Sequence, residues 1–381
     1  MPFRRRRLTG SLRESGPSLR TRAAVVGAAV VACCLAPALP LAGRVKATIA
    51  DDPELPRIQA RARSFHGLVL GDAGDPVVIA LHDGPGGDHR ALAALGRLTA
   101  APTETERTAA AALGIAPGER TYRVALYDQR GSGLSPRDEE PASFEDALED
   151  LGAVADAVAG DGPVRLVGQG WGAMLAAAYL GRNPSRVAGA VLIEPLFLSA
   201  DEGERYLASL APPRDTTERL QAAWRAYRAL AIFGPDRAAR ADWRAAGRIE
   251  RAALRAEPRR GCPPPAPSFA RAGAAAPGAI WRSLSGADGR LDPGLADLAA
   301  GADRYGRSVL LLAGACSPLR DAVHDRHVAR FLDARALDLP AAGHDVLLTA
   351  PDAAVAAVRE HLDALAAMDE EEADATGAGS S

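Results

Sequence analysis

From Ser64 onward, short apolar runs alternate with longer stretches in which apolar residues recur every three or four positions. The runs at 64–70, 76–82, 122–127, 163–168, 187–193, 308–314 and 335–339 have strand length, and several lack any polar alternation. A strand without a polar face is covered on both sides, as in a parallel sheet packed between helices. The stretches at 144–158, 172–182 and 351–367 carry the helical period. Strands alternating with helices predict βαβ units, and hence an α/β fold built on a mostly parallel, doubly wound sheet.

The alternation stops between 196 and 304. Helical patterns at 216–233 and 236–257 are followed there by the segment PRRGCPPPAPSFARAGAAAPGA. A helical insertion between two strands, with a Pro/Gly/Ala-rich tail, predicts a lid over a site. It divides the core into a first part at 51–195 and a second at 305–367. A smaller excursion is expected at 101–119. The last residues, 368–381, are acidic and polar and are expected to be disordered.

The N-terminus changes the picture of where this fold resides. Residues 1–22 are rich in arginine, and the 21 residues from Ala23 to Gly43 carry no charge. That length can span a bilayer at about 1.5 Å per residue. The arginines predict a cytoplasmic start and an extracytoplasmic body. The segment 23–43 is thus a transmembrane or cleaved signal segment, and Val30-Val31-Ala32-Cys33 also has the look of a lipid-attachment site. The expected location is membrane-anchored or secreted, with the membrane as a partner through this segment.

Composition excludes more than it assigns. A formal net charge of -3 gives no reason to expect a nucleic-acid partner. The single lysine, Lys46, among abundant Arg, Ala, Gly and Pro is a genomic bias rather than a function. Cys33 and Cys34 fall in the apolar run. Cys262 and Cys316 lack metal-ligand neighbours; one disulfide is possible outside the cell, but one pair makes no framework, so both are read as free or incidental. No metal or cofactor is expected.

Three motifs follow successive strands: LHDGPGGDH at 81–89, LYDQRGSGLS at 126–135 and GQGWGA at 168–173. Together they resemble the proline iminopeptidase branch of the α/β-hydrolases, whose pattern at these places is H-G-G-P-G, D-Q-R-G-S/T-G-x-S and G-x-S-W-G-x. The resemblance covers about 64–365, and the stretch GAMLAAAYLGRNPSRVAGAVLIEP looks like membrane-associated bacterial members. It implies an α/β-hydrolase fold with a helical lid. It also implies a small-molecule or peptide ligand, a peptide with a small N-terminal residue being the family's substrate. Two positions depart from the pattern. Asp83 stands for a glycine, and Gly170 stands for the nucleophilic serine of the strand-to-helix elbow.

The physical roles follow from the elbow geometry. The N–H of Trp171, with that of Asp83 or Gly84, would form an oxyanion hole. His344, in a Gly-His pair after the last strand, is the candidate base. Glu194, at the end of VAGAVLIEP, is the candidate acid that orients it, since no carboxylate directly follows VLLLAGACSPL. Asp128 and Arg130 are expected to brace loops. Without the serine, covalent serine chemistry is lost; its removal costs on the order of 10⁶ in kcat in a well-studied protease.

Two further readings remain. A water activated by His344, or another nucleophile, would keep an aminopeptidase- or esterase-like enzyme. Gly168-x-Gly170-x-x-Ala173 also fits a dinucleotide fingerprint, but it comes after at least three strands instead of in the first βα unit, and Trp171 would crowd a pyrophosphate.

Overall fold

A computed structural model describes residues 45–116, 118–138, 142–209, 223–224, 226–229, 236–255, 262 and 270–377. The expected cytoplasmic start, the segment 23–43 and most of the helix expected at 216–233 lie outside these residues. Among the described residues no helix is long and apolar enough to cross a membrane.

Eight strands form one sheet: β1 (Arg57–Ala60), β2 (Arg63–Leu70), β3 (Val77–Leu81), β4 (Arg123–Tyr127), β5 (Val164–Gln169), β6 (Val187–Ile193), β7 (Val309–Gly314) and β8 (Ala334–Leu339). Their spatial order is β1-β2-β4-β3-β5-β6-β7-β8. β1 pairs with β2, and β2 with β4, antiparallel; every other pairing is parallel. The hairpin of β1 and β2 adds an edge strand that the apolar pattern does not announce, because Arg57 and Gln59 alternate with Ile58 and Ala60 over only four residues.

The unalternated runs are explained by two apolar layers, one on each face of the sheet. Ile79, Leu81, Leu166 and Leu311 enter one layer, and Val78, Ala80, Val167, Leu310 and Leu312 the other. Helix α1 (Glu104–Ala112) lies between β3 and β4 in the chain, and the first layer is filled by helix α2 (Phe144–Ala159) and helix α3 (Trp171–Arg182). The second is filled by helix α7 (Pro351–Gly377), with Val355, Val358 and Leu362 inward. Helix α2 starts on a capping box, in which Ser143 accepts from the Asp146 N–H and Asp146 reaches back to Ser143. Contrary to the disorder expected at 368–381, α7 continues through the acidic stretch to Gly377. Arg120 and Arg307 pair with Glu370 and Asp369, two of these acidic residues.

Within the insertion, helix α4 (Ala200–Ser209), helix α5 (Arg237–Arg255) and helix α6 (Ala276–Ser283) are described. Helix α5 buries Ala239, Asp242 and Ala245 on one face and exposes Arg237 and Arg244 on another. Asp242, 3% exposed, is the anchor of this insertion. It accepts from Arg271 Nε at 2.7 Å, Arg137 Nε at 3.0 Å and the Ala274 N–H at 2.9 Å. Downstream, the Gly273 N–H donates to Gly86 O at 2.7 Å. A Cβ at Gly86 would lie 2.3 Å from Gly273 O, so only glycine allows the two backbones this approach. Cys262 and Cys316 form a disulfide, against the expectation that both are free. The pairing joins the insertion to the loop after β7, a proximity that a sequence separation of 54 conceals.

Candidate functional site

Strand order reverses between β3 and β5, which are neighbours in the sheet although β4 intervenes in the chain. Ligand crevices in open α/β sheets form at such switch points, at the carboxyl ends of the strands. Leu81 of β3 is registered with Gly168 of β5, Gln169 with Ile193 of β6, Ile193 with Leu312 of β7, and Gly314 with Leu339 of β8. The next residues of each chain segment therefore meet at one edge. They are Asp83, Gly170, Glu194, Ser317 and His344.

The central finding is where the Asp83 carboxylate sits. Its Oδ1 accepts from the Trp171 N–H at 2.8 Å and from the Gly84 N–H at 2.7 Å. Trp171 and Gly84 are the two N–H groups assigned to the oxyanion hole. The structure brings them together, but on an oxygen of the protein itself. The Asp83 side chain thus supplies the acceptor between them. At Gly170, φ is +53°, and a Cβ there would lie 1.9 Å from Asp83 Oδ1. A serine at 170 and an aspartate carboxylate in this position exclude one another sterically. The Asp83 carboxylate therefore fills the space that a side chain at position 170 would need.

Asp83 Oδ2 is 3.0 Å from His344 Nε2, and His344 Nδ1 is 2.6 Å from Glu194 Oε2. Glu194 is fully buried, with φ +45°, a conformation rare for a residue bearing a side chain. Its Oε1 accepts from the Gly314 N–H at 2.6 Å and its Oε2 from Ser317 Oγ at 2.5 Å. Ser317, in the loop after β7, thus holds the Glu194 carboxyl group. Asp83, His344 and Glu194 form a continuous chain, with Asp83 and His344 each 27% exposed.

Electrostatics set the protonation of this chain. Burial works against a charged imidazole, yet hydrogen bonds to Asp83 and Glu194, and their charges, hold His344 well above its ordinary 6.5. At Asp83 burial favours the neutral acid, but His344 and the Trp171 and Gly84 N–H groups outweigh it and hold the carboxyl below its ordinary 3.8. His344 thus lies between two carboxyl groups that both bond to its ring, and its hold on a second proton is strengthened. Burial, countered only in part by His344 and Gln169, raises Asp345 beside it.

Positioning residues that sequence reasoning missed surround the chain. Gln169 Nε2 donates to Asp345 Oδ1 at 3.1 Å and fixes the His344 loop against the elbow. Gln129 Oε1 accepts from the Trp171 indole at 2.6 Å, and its Nε2 donates to His82 O at 3.1 Å. His82 Nε2 accepts from the Gln129 N–H at 3.0 Å, and its Nδ1 meets Asp83 O at 2.8 Å. That pattern requires the neutral Nδ1–H tautomer, consistent with burial lowering the His82 pKa. The D-Q-R stretch carried this signal without stating which atoms it held.

As expected, Asp128 and Arg130 are engaged in bracing. Asp128 accepts from the N–H groups of His89 and Leu134 and from Nδ1 of His66 and His89, at 2.7–2.9 Å. His66, His89 and Asp128 have the composition of a metal site. Both carboxylate oxygens, however, are committed to four N–H donors, so the cluster is a brace. Arg130 pairs with Asp150 and Asp146. The dinucleotide reading fails at the start of α3, where a pyrophosphate would meet the Asp83 carboxylate. A cleft of about 300 Å³ lined by Arg57, Phe65, Arg130 and Asp138 includes no residue of the Asp83–His344–Glu194 chain.

Sheet order, elbow and the loop positions of His344 and Glu194 define the α/β-hydrolase fold, and a family model described as alpha/beta hydrolase fold matches residues 110–224. Among solved structures the chain is similar to DBJA, at 20% identity and TM-score 0.52, covering 82% of this chain and 99% of that one. It is also similar to a bacterial membrane phospholipase A, at 18% identity and TM-score 0.52, covering 91% and 98%. The proline iminopeptidase of Mycobacterium smegmatis follows at 20% identity and TM-score 0.50, covering 81% and 98%. These likenesses establish the fold. No curated protein matches the chain.

Proposed function

We propose that this is a membrane-anchored or secreted α/β-hydrolase-fold protein of proline iminopeptidase-like ancestry that does not carry out serine-type acyl transfer, and that keeps a site for a small-molecule or peptide ligand. One observation carries the reading: Asp83 Oδ1 occupies the position between the Trp171 and Gly84 N–H groups. A substrate carbonyl needs those donors for its developing negative charge. Here the charge is already present and belongs to the protein.

The occupied hole also argues against a water-activated peptidase. With both ring nitrogens of His344 engaged by Asp83 and Glu194 and its pKa held well above 6.5, no ring lone pair is free to deprotonate water. A ligand can still reach the site through the exposed quarter of Asp83 and His344. Trp281 packs against Trp171 and Phe197, with ring centroids 5.8 and 5.6 Å apart.

Turnover of proline and alanine arylamides and short aryl esters tests the reading, with His344→Ala run in parallel. Wild type is expected to be indistinguishable from His344→Ala. Hydrolysis by wild type that His344→Ala abolishes would overturn it.

A further inference from the structure

Lys46 lies three residues beyond the segment 23–43, which is proposed above to hold the protein at a membrane. Its carbonyl accepts from Arg271 Nη1 at 3.0 Å, and Arg271 Nε donates to Asp242 of α5 at 2.7 Å. We infer that the insertion is a docking surface for anionic phospholipid headgroups, with the arginine face of α5 as its main contact. The inference rests on the membrane-anchored form of the reading above and adds a second contact with the bilayer.

Chain length supplies the first constraint. Three residues span at most about 11 Å when fully extended. A retained segment at 23–43 therefore brings Lys46, and the guanidinium that joins it to α5, to within about one helix diameter of the headgroups. An insertion tied elsewhere on the core would be under no such constraint.

Charge supplies the second. Residues 214–260 hold twelve arginines and six acidic residues, a net charge of +6 in a chain whose total is -3. Along α5, Arg237, Arg240, Arg244, Arg248, Arg251 and Arg255 recur at spacings of three and four residues, which puts all six positions on one face of the helix. Asp242 falls on the opposite face, where Arg137 and Arg271 hold it. Arg237 and Arg244 are exposed. A row of arginine positions opposite the packed face suits a plane of phosphates, because each phosphate offers paired oxygens to the planar fork of a guanidinium.

The insertion also exposes a pair of aromatic side chains. Trp224 and Tyr227 are 39% and 55% exposed and stack on each other, with ring centroids 5.7 Å apart. Each has an apolar body and a polar tip, the combination favoured at the headgroup level of a bilayer. A basic surface with aromatic residues binds such an interface by electrostatic attraction and apolar burial together. A nucleic acid would match the arginines equally, but the chain itself would not hold it beside α5.

Reconstitution of the full chain tests the inference, in vesicles of phosphatidylcholine alone and in vesicles that also contain phosphatidylglycerol. Flotation reads the anchor. The rate of arginine modification by phenylglyoxal, located by mass spectrometry, reads the surface. Arg61, whose side chain is 66% exposed between β1 and β2, is the internal reference. The expected result is flotation with both vesicles and a several-fold slowing of modification at Arg237 and Arg244 by phosphatidylglycerol, with Arg61 unchanged. Flotation with equal modification of Arg237 and Arg244 in the two vesicles would overturn the docking and leave the anchor standing. Absence of flotation would overturn the anchor and the docking with it. Equal protection by DNA added to phosphatidylcholine vesicles would assign the surface to polyanions at large and overturn the assignment to lipid.

Discussion

The Asp83 carboxylate reaches both the first N–H of a helix and an imidazole across the sheet edge. The Trp171 N–H is one of the unpaired donors at the start of α3, and Gly170 has no side chain to cap it. The carboxylate satisfies that donor and places negative charge at the helix N-terminus, where it is favourable. The linked titration has a defined sign. His344 is lifted above 6.5, so its contribution to stability is complete below 6.5 and fades as pH rises through its folded value. Asp83 is held below 3.8, so its contribution is present above 3.8 and fades as pH falls through its folded value. Asp83→Asn removes the charge and keeps the shape. Nuclear magnetic resonance of the imidazole should show His344 cationic at pH 7 in wild type, with its midpoint moved down in the variant. An unchanged midpoint would mean that the two side chains are not coupled.

Elements were legible in the sequence to different degrees, for physical reasons. The parallel strands were legible because burial on both faces removes every polar residue from β3, β5, β6 and β7 except Arg165 and Gln169. Glu194 and His344 were legible as candidates because each directly follows such a strand or its loop. The role of Asp83 was not, because it depends on the register of β3 with β5 and on an empty Cβ position across from it. The Cys262–Cys316 pairing and the anchoring of α5 were hidden because the insertion's path over the core leaves no periodic signal. Asp242 gives that anchoring a measurable consequence. Asp242→Ala would leave the guanidinium groups of Arg137 and Arg271, 13% and 7% exposed, without their shared carboxylate. Breaking a buried pair by removing one partner costs about 3–5 kcal/mol. The variant should therefore denature at lower urea than wild type and be cut first by protease within 196–304. A midpoint equal to wild type would show that the insertion is held by other contacts.

At the scale of the whole molecule, the α/β-hydrolase sheet and elbow bring Asp83, Gly170, His344 and Glu194 to one edge. The N-terminal segment 23–43 would place this fold at a membrane or beyond it, which we propose on its charge pattern alone. The central claim is that the Asp83 carboxylate fills the space that a side chain at position 170 would need, and labelling by a fluorophosphonate tests it most directly. Gly170→Ser alone puts a Cβ 1.9 Å from Asp83 Oδ1, and overpacking of this kind costs about 1–3 kcal/mol. It should lower the melting temperature and leave the introduced hydroxyl unlabelled. Asp83→Gly combined with Gly170→Ser empties the hole, restores the space and should be labelled at position 170. Labelling of Gly170→Ser alone at the rate of the double variant would contradict the account.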